Sequence, residues 1–289
     1  MKEFIPKNYL DKKLNLTQIK NFKAHKNYIE SKSILGIDIY RYSKYPFDQQ
    51  VYIPVLFDQL YDFTVDACSG VEKFVYQKYE NTLATYKEHF ISTGDGGFQI
   101  FNNPLECLVF AAYFQLNVRC FNTGNLPFSL FQNLYKLTGP IELRYCITTD
   151  DIYKYSSNYF GPGIINNARI LAKDNLNRVL IDSNSIRWFD SEINTIENLL
   201  VMKIADFKET KYFKRYNSRL NSCLFDPAGS NIPIKSIDIL KIGNIKSKET
   251  DLDIYNLHLQ IGMFADHIQK HDFTHFLVSL GNMNVGGIN

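Results

Sequence analysis

Apolar residues along this chain follow two periods, and the change from one to the other marks the elements. Ser33-Ile34-Leu35-Gly36-Ile37-Asp38-Ile39-Tyr40 reads as a strand. Tyr42-Ser43-Lys44-Tyr45-Pro46 breaks it, and Val51, Val55, Leu56, Leu60 and Phe63 then carry a helix over Gln49 to Asp66. Lys87 to Thr93 and Gly97 to Phe101 predict a hairpin turning at Gly94-Asp95-Gly96, because Asp-Gly is a strong short-range turn signal. Pro104 opens a helix that runs through Phe114, with proline in its first turn where no amide is needed. Ile141 to Thr149 alternates as a strand. Phe160-Gly161-Pro162-Gly163 then leads into a helix through Arg169 and Leu171, and Asn177 to Asp182 is a short strand.

Further on, Ser236 to Gly243 and Asp251 to Leu259 alternate around a polar tip, Asn244 to Thr250. From about Gly262 the pattern predicts an amphipathic helix and then a Gly/Asn-rich tail. The order β-α-β-β-α-β, with more strands after it, predicts an α+β fold: a ferredoxin-like sandwich enlarged with extra C-terminal strands. The expected organisation is a polar helical extension over residues 1–32, a main domain over 33–260 with an insertion at about 185–235, and a C-terminal helix and tail over 261–289.

Composition narrows the class of protein. A net charge of +2 gives no reason to expect a nucleic-acid partner. Cys68, Cys107, Cys120, Cys146 and Cys223 are scattered without a CxxC pair, which reads as reduced thiols in a cytoplasmic protein. No run approaches the roughly 20 apolar residues of a membrane span. The start of the chain is too polar for a secretory signal.

The candidate chemistry lies in two aspartates. Asp38 and Asp95 each interrupt an apolar run, where a carboxylate is costly unless paired. On neighbouring strands they would form a hard, oxygen-rich site suited to divalent metal and a triphosphate. Taken singly, each reads as a strand-end residue facing water.

Four segments, in order, carry a resemblance. Asp38-Ile39-Tyr40-Arg41-Tyr42-Ser43 is similar to a first-metal strand and phosphate loop, usually Asp-Ile-x-Gly-Phe-Thr. Thr93 to Phe98 is similar to a second-metal hairpin, and Gly161 to Arg169 to a Gly-x-x-Val-Asn-x-Ala-x-Arg helix. Ile245-Lys246-Ser247-Lys248, with Leu252 and Tyr255, is similar to a closing hairpin with a phosphate-binding lysine. Together, from Ile34 to Leu257, these segments resemble the class III nucleotide cyclases.

The resemblance implies the class III cyclase fold and two divalent cations per site, Mn2+ or Mg2+. Asp38, Asp95 and the Ile39 carbonyl would hold them. Tyr42 and Ser43 would meet the nucleoside triphosphate, and Ser43 would donate to its β/γ-phosphates. Arg169 would lie across the α-phosphate and Lys248 would meet the terminal phosphates, although alone each reads as a solvated surface residue. The resemblance also implies a homodimer with its active sites at the interface.

Some positions depart from the pattern. Arg41 stands where glycine is usual, and Ile165 where asparagine is usual. Asn166, three residues before Arg169, is taken as the amide on the arginine's face. Ile91 stands where purine cyclases carry a base-reading lysine, and Asn158 takes the second base-reading position. The Asn158 amide can pair with uracil or cytosine. On this point the chain resembles the pyrimidine cyclases of bacterial Pycsar antiphage systems. Those are soluble enzymes making cyclic UMP or cyclic CMP for a cyclic-nucleotide-responsive effector. An adenylate or guanylate cyclase that reads its base differently, or a degenerate nucleotide-binding homologue, fits the same departures.

Other features carry less. His267, His271 and His275 share a spacing that binds Zn2+ on a helix but more simply form a solvated face. The basic stretch Lys208, Lys211, Lys214, Arg215 and Arg219 reads as a solvated insertion, and Arg144 as a structural residue of its strand.

Overall fold

In the computed structural model, residues 29–72, 75, 76, 79, 83–126, 128–155, 158–201, 234–246, 250–266, 273–284 and 286–288 are described. Strand β1 (Ile29–Ile39) is central. It pairs antiparallel with β3 (Gly96–Phe101) on one side and with β4 (Leu143–Tyr155) on the other, and β2 (Phe90–Ser92) lies outside β3. Helix α1 (Ile53–Val71), followed by a shorter α2 (Leu83–Glu88), leads from β1 to β2. Helix α3 (Pro104–Asn122) and a second helix, α4 (Ser129–Thr138), lead from β3 to β4. The strand order β2-β3-β1-β4 is the ferredoxin-like arrangement expected from the sequence.

The sheet continues beyond β4. Helix α5 (Pro162–Lys173) returns the chain so that β6 (Val179–Asp182) pairs parallel with β4. After α6 (Ser183–Val201), β7 (Ile234–Lys246) and β8 (Asp251–Asp266) form a long antiparallel hairpin, and β8 lies against β6. A short β5 (Asn158–Phe160) folds back on the far end of β4, and β9 (Phe273–Leu280) on β8. The fold is therefore a mixed α/β sheet of nine strands among the described residues.

The alternation in β1 sorts the core. Leu35, Ile37 and Ile39 face α1 and α3 in the large apolar cluster, with Leu60, Phe110 and Phe114. Ile34 and Gly36 face the other way, under α5. Asn167 of α5 donates there to the carbonyls of Ile34 and Cys146 at 2.9 and 3.0 Å. A Cβ at Gly36 would stand 2.0 Å from Asn167 Oδ1, so glycine is what lets the helix lie this close. Helix α3 starts where Pro104 predicts, and Asn103 caps it: Asn103 Oδ1 accepts from the Glu106 amide at 3.0 Å.

Several boundaries differ from the sequence reading. Strand β1 begins at Ile29, inside the expected extension, and the rest of that extension lies outside the described residues. The first helix is split into a single turn, Phe47–Gln50, and α1. The strand expected from Lys87 is helical to Glu88, and only Phe90–Ser92 pairs.

The predicted C-terminal helix is strand instead: β8 runs to Asp266 and Phe273–Leu280 pairs with it. The four-residue β6 covers β8 only over Ile254 to Leu257, and β9 takes up the same edge from Leu259 onward. His275 is therefore in a strand, while His267, His271 and most of the expected insertion lie outside the described residues.

Candidate active site

The last residues of β1 bring the two aspartates together. Asp38 stands opposite Gly96 on β3 and opposite Arg144 on β4. One residue on, the Ile39 amide donates to the Asp95 carbonyl at 3.1 Å, tying the end of β1 to the turn that carries the second carboxylate. That turn closes through Thr93 N–H to Gly96 O at 3.0 Å, with Gly94 in a left-handed conformation. Gly96 has no room for a side chain, since a Cβ there would lie 2.1 Å from the Ile37 carbonyl oxygen.

Arg144, read from the sequence as a structural residue of its strand, stands at the candidate site against Asp38. Its Nε lies 2.5 Å from Asp38 Oδ2, and its Nη1 donates to the backbone carbonyl of Asp174, just past the end of α5. Both Asp38 and Arg144 are about four-fifths buried. Burial pushes the Asp38 carboxyl above its ordinary range. The Arg144 charge pulls it back, and the nearby Asp95 charge pushes it further up. The alternation of 141 to 149 put Arg144 and Cys146 on one face, but only the β1–β4 register sets Arg144 against Asp38.

The loop after β1 is held from below. The Tyr40 amide donates to Glu142 O at 2.8 Å, and Tyr40 Oη to Asn175 O at 2.8 Å. Arg41, at the position where the resemblance leads one to expect glycine, has φ 59° and ψ 31°. It is the non-glycine residue with positive φ among those described, and its guanidinium lies 4.7 Å from the Tyr40 ring centre. A turn of 3-10 helix, Tyr42–Lys44, follows. It leaves Ser43 exposed and Tyr42 partly covered, with the Tyr42 hydroxyl 3.5 Å from Gln50 O.

The remaining candidates lie elsewhere. Arg169 is on the exposed face of α5, and Ile165, one turn earlier, is 50% exposed. Asn166 does not join them. It is 1% exposed, and its Nδ2 reaches Asp150 Oδ2 at 3.4 Å, so the expected pairing of Asn166 with Arg169 on one face is corrected. At 3.6 residues per turn both i−3 and i−4 lie near the arginine, and here it is i−4, Ile165, that is exposed with it.

Ile91 is half-buried on β2 opposite Phe98. Asn158 is exposed on β5 opposite Tyr155, at the end of β4 remote from Arg144 and roughly 35 Å away along an extended strand. Lys248 lies outside the described residues. The described residues contain no cluster of three or more His, Cys, Asp or Glu side chains able to hold a metal, so any ion at Asp38 and Asp95 would need backbone or ligand oxygens as well. No described helix is long and apolar enough to cross a membrane.

No protein-family profile and no curated protein matches the chain. Solved structures do. The guanylyl cyclase Cya2 is 12% identical, with a TM-score of 0.42, over 79% of this chain and 92% of that one. The adenylyl cyclase CyaB from P. aeruginosa is 10% identical, with a TM-score of 0.40, over 84% and 99%. An adenylate/guanylate cyclase/hydrolase from Silicibacter pomeroyi is 13% identical, with a TM-score of 0.39, over 79% and 96%. All three are described as cyclases. At such identities and scores the likeness carries nothing about activity, which has to be argued from this chain's own residues.

Proposed function

We propose that the protein is a class III-type nucleotide cyclase. It would join the ribose 3'-oxygen of a nucleoside triphosphate to the α-phosphorus, break the bond between the α-phosphorus and the bridging oxygen, and release pyrophosphate. The observation that carries the reading is the meeting of Asp38 and Asp95 through the 3.1 Å Ile39–Asp95 backbone bond. Two carboxylates so close repel each other, and Arg144 offsets the charge of only one directly. The donors are hard oxygens, the chemistry Mn2+ or Mg2+ requires. Asp38, Asp95 and the Ile39 carbonyl would hold two such ions per site. When bound, these ions would acidify the 3'-hydroxyl and neutralise the triphosphate.

The rest of the chemistry falls to positioned charge. Ser43, exposed on its 3-10 turn beside Tyr42, donates to the β/γ-phosphates. Arg144 supplies a fixed positive charge beside the carboxylates. Arg169 lies across the α-phosphate, where charge builds, and Lys248 meets the terminal phosphates. Within one chain the carboxylates and Asn158 stand near opposite ends of the β1–β4 ladder, too far apart for one nucleotide. A two-fold homodimer solves this, with each chain lending Arg169 and Asn158 to its partner's carboxylates.

The preferred substrates are UTP and CTP. Ile91 has no donor for a purine nitrogen, and the exposed Asn158 amide suits either pyrimidine. The product would be a cyclic pyrimidine nucleotide acting, in the cytoplasm, as a messenger to an effector in bacterial antiphage defence. One observation favours a second reading, a binding module without turnover: Ile165 occupies Arg169's face and Asn166 turns inward. Incubation with each of the four nucleoside triphosphates and Mn2+, with products identified by mass, separates the readings. Cyclic UMP or cyclic CMP is expected, a cyclic purine nucleotide would overturn the pyrimidine assignment, and no cyclic product would leave the binding module.

A further inference from the structure

Residues 282–284 and 286–288 are fastened to the body of the protein at several points, and one of those points leads to Asp38. Arg178, 1% exposed, donates from Nε and Nη2 to Asp174 Oδ1 at 3.1 and 2.8 Å. Its Nη1 donates to the carbonyls of Asn284 and Gly286 at 3.1 and 2.5 Å. Asn256 Nδ2 donates to the carbonyls of Asn282 and Asn284 at 2.8 and 3.1 Å, and Asn282 Nδ2 to Asn177 O at 2.9 Å. Ile288 is buried with Ile245, Leu252 and Ile254, over Gly243, where a Cβ would stand 2.9 Å from Ile288 Cγ1.

Asp174 joins this segment to the site. Its carboxylate is held by Arg178, while its backbone carbonyl accepts from Arg144, whose Nε holds Asp38. The second carboxylate oxygen of Asp174 is buried with no hydrogen-bond partner among the described residues. The placement of Asp174 thus leans on Arg178, and the placement of Arg178 leans on the two carbonyls of the segment.

We propose that residues 282–284 and 286–288, acting through Arg178, are a positioning element for the candidate metal site. They fix the Asp174 carbonyl where it pins Arg144 against Asp38, and so set how readily Asp38 takes a cation. This rests on the cyclase reading. With its second anchor loosened, Arg144 competes less for Asp38. A free cation then binds more easily, while the fixed charge needed for turnover is lost.

The test uses full-length protein and Mn2+ alone, with binding followed by electron paramagnetic resonance. Ile288→Asp, which expels the segment's end from its apolar seat, should bind Mn2+ about fivefold tighter than wild type, with a lower kcat. Asn256→Ala, a milder release that keeps the test valid should Ile288→Asp not fold, should shift binding the same way by less. In an Arg144→Ala background neither change should alter Mn2+ affinity. Unchanged or weaker Mn2+ binding in the folded variants would overturn the inference, and so would an equal shift without Arg144. A wild-type protein that binds no Mn2+ would instead sink the metal-site reading itself.

Discussion

Arg144 and Asp38 face each other across the β1–β4 ladder, with Nε 2.5 Å from Oδ2. An arginine in this place both shields the carboxylate and competes for it. Arg144→Ala should therefore bind Mn2+ more tightly in the absence of nucleotide, yet lose turnover by about 10²-fold, the usual effect of removing a charged donor from a phosphoryl site. Metal titration and steady-state rates on the same preparation check both. Weakened metal binding would mean that Arg144 supports the carboxylates rather than contending with them.

Shared sites predict complementation. Asp38→Ala and Arg169→Ala should each be inactive alone. Mixed and allowed to exchange subunits, they form hybrid dimers with one intact site, so activity should recover to about a quarter of wild type. Exchange verified by mass, with no recovered turnover, would argue that each chain acts by itself.

If Ile91 excludes purines by lacking a donor, Ile91→Lys should raise the share of ATP or GTP turned over relative to UTP and CTP. The measurement is product ratio in an equimolar mixture of all four. An unchanged ratio would place base selection elsewhere.

The left-handed Arg41 gives a stability prediction. Its φ of 59° costs an L-residue roughly 1–2 kcal/mol, while glycine adopts it without that cost but loses more freedom on folding. Arg41→Gly should be neutral or stabilising by up to about 1 kcal/mol, whereas Arg41→Val, branched at Cβ, should destabilise by roughly 1 kcal/mol or more. Urea denaturation decides it, and the reverse ranking would refute the account.

Asp182 gives a pH dependence. It caps α6 through the Ser185 amide at 2.8 Å, and burial pushes its carboxyl up to about 6. The folded chain therefore holds a proton at this group that the unfolded chain releases near pH 4. The stabilisation from that group is full below about pH 4 and is lost as pH rises through about 6, by roughly 3 kcal/mol at most. Asp182→Asn should flatten the slope of unfolding free energy between those limits. A carboxyl resonance for Asp182 titrating near 4 would contradict the shift.

Strand β1, the Asp95 turn and the start of α3 were legible because each rests on local chemistry: alternation, an Asp-Gly turn, and a proline in the first helical turn. Other features depend on contacts distant in sequence. The facing of Arg144 and Asp38 is a register between strands separated by two helical crossovers, and no periodicity in 141 to 149 encodes it. That Asn166 lies away from the face of Arg169 was not legible until the face of α5 lying on β1 was known, and its neighbour Asn167 lies inward with it. Both proved buried, and Asn167 makes the closer bonds. The tail misled because Phe273 to Leu280 is short, and a run of that length is strand or helix according to whether an edge awaits it.

The four residues of β6 are a narrow bridge within the sheet. They join the ferredoxin-like half, with its carboxylates, to the β7–β8 hairpin that leads toward Lys248. On the β4 side the seam is only Tyr145 to Ile147, beginning one residue after Arg144. Among the described residues, strain in the long hairpin that travels through the strand ladder must cross this seam, and it meets β4 one residue from Arg144.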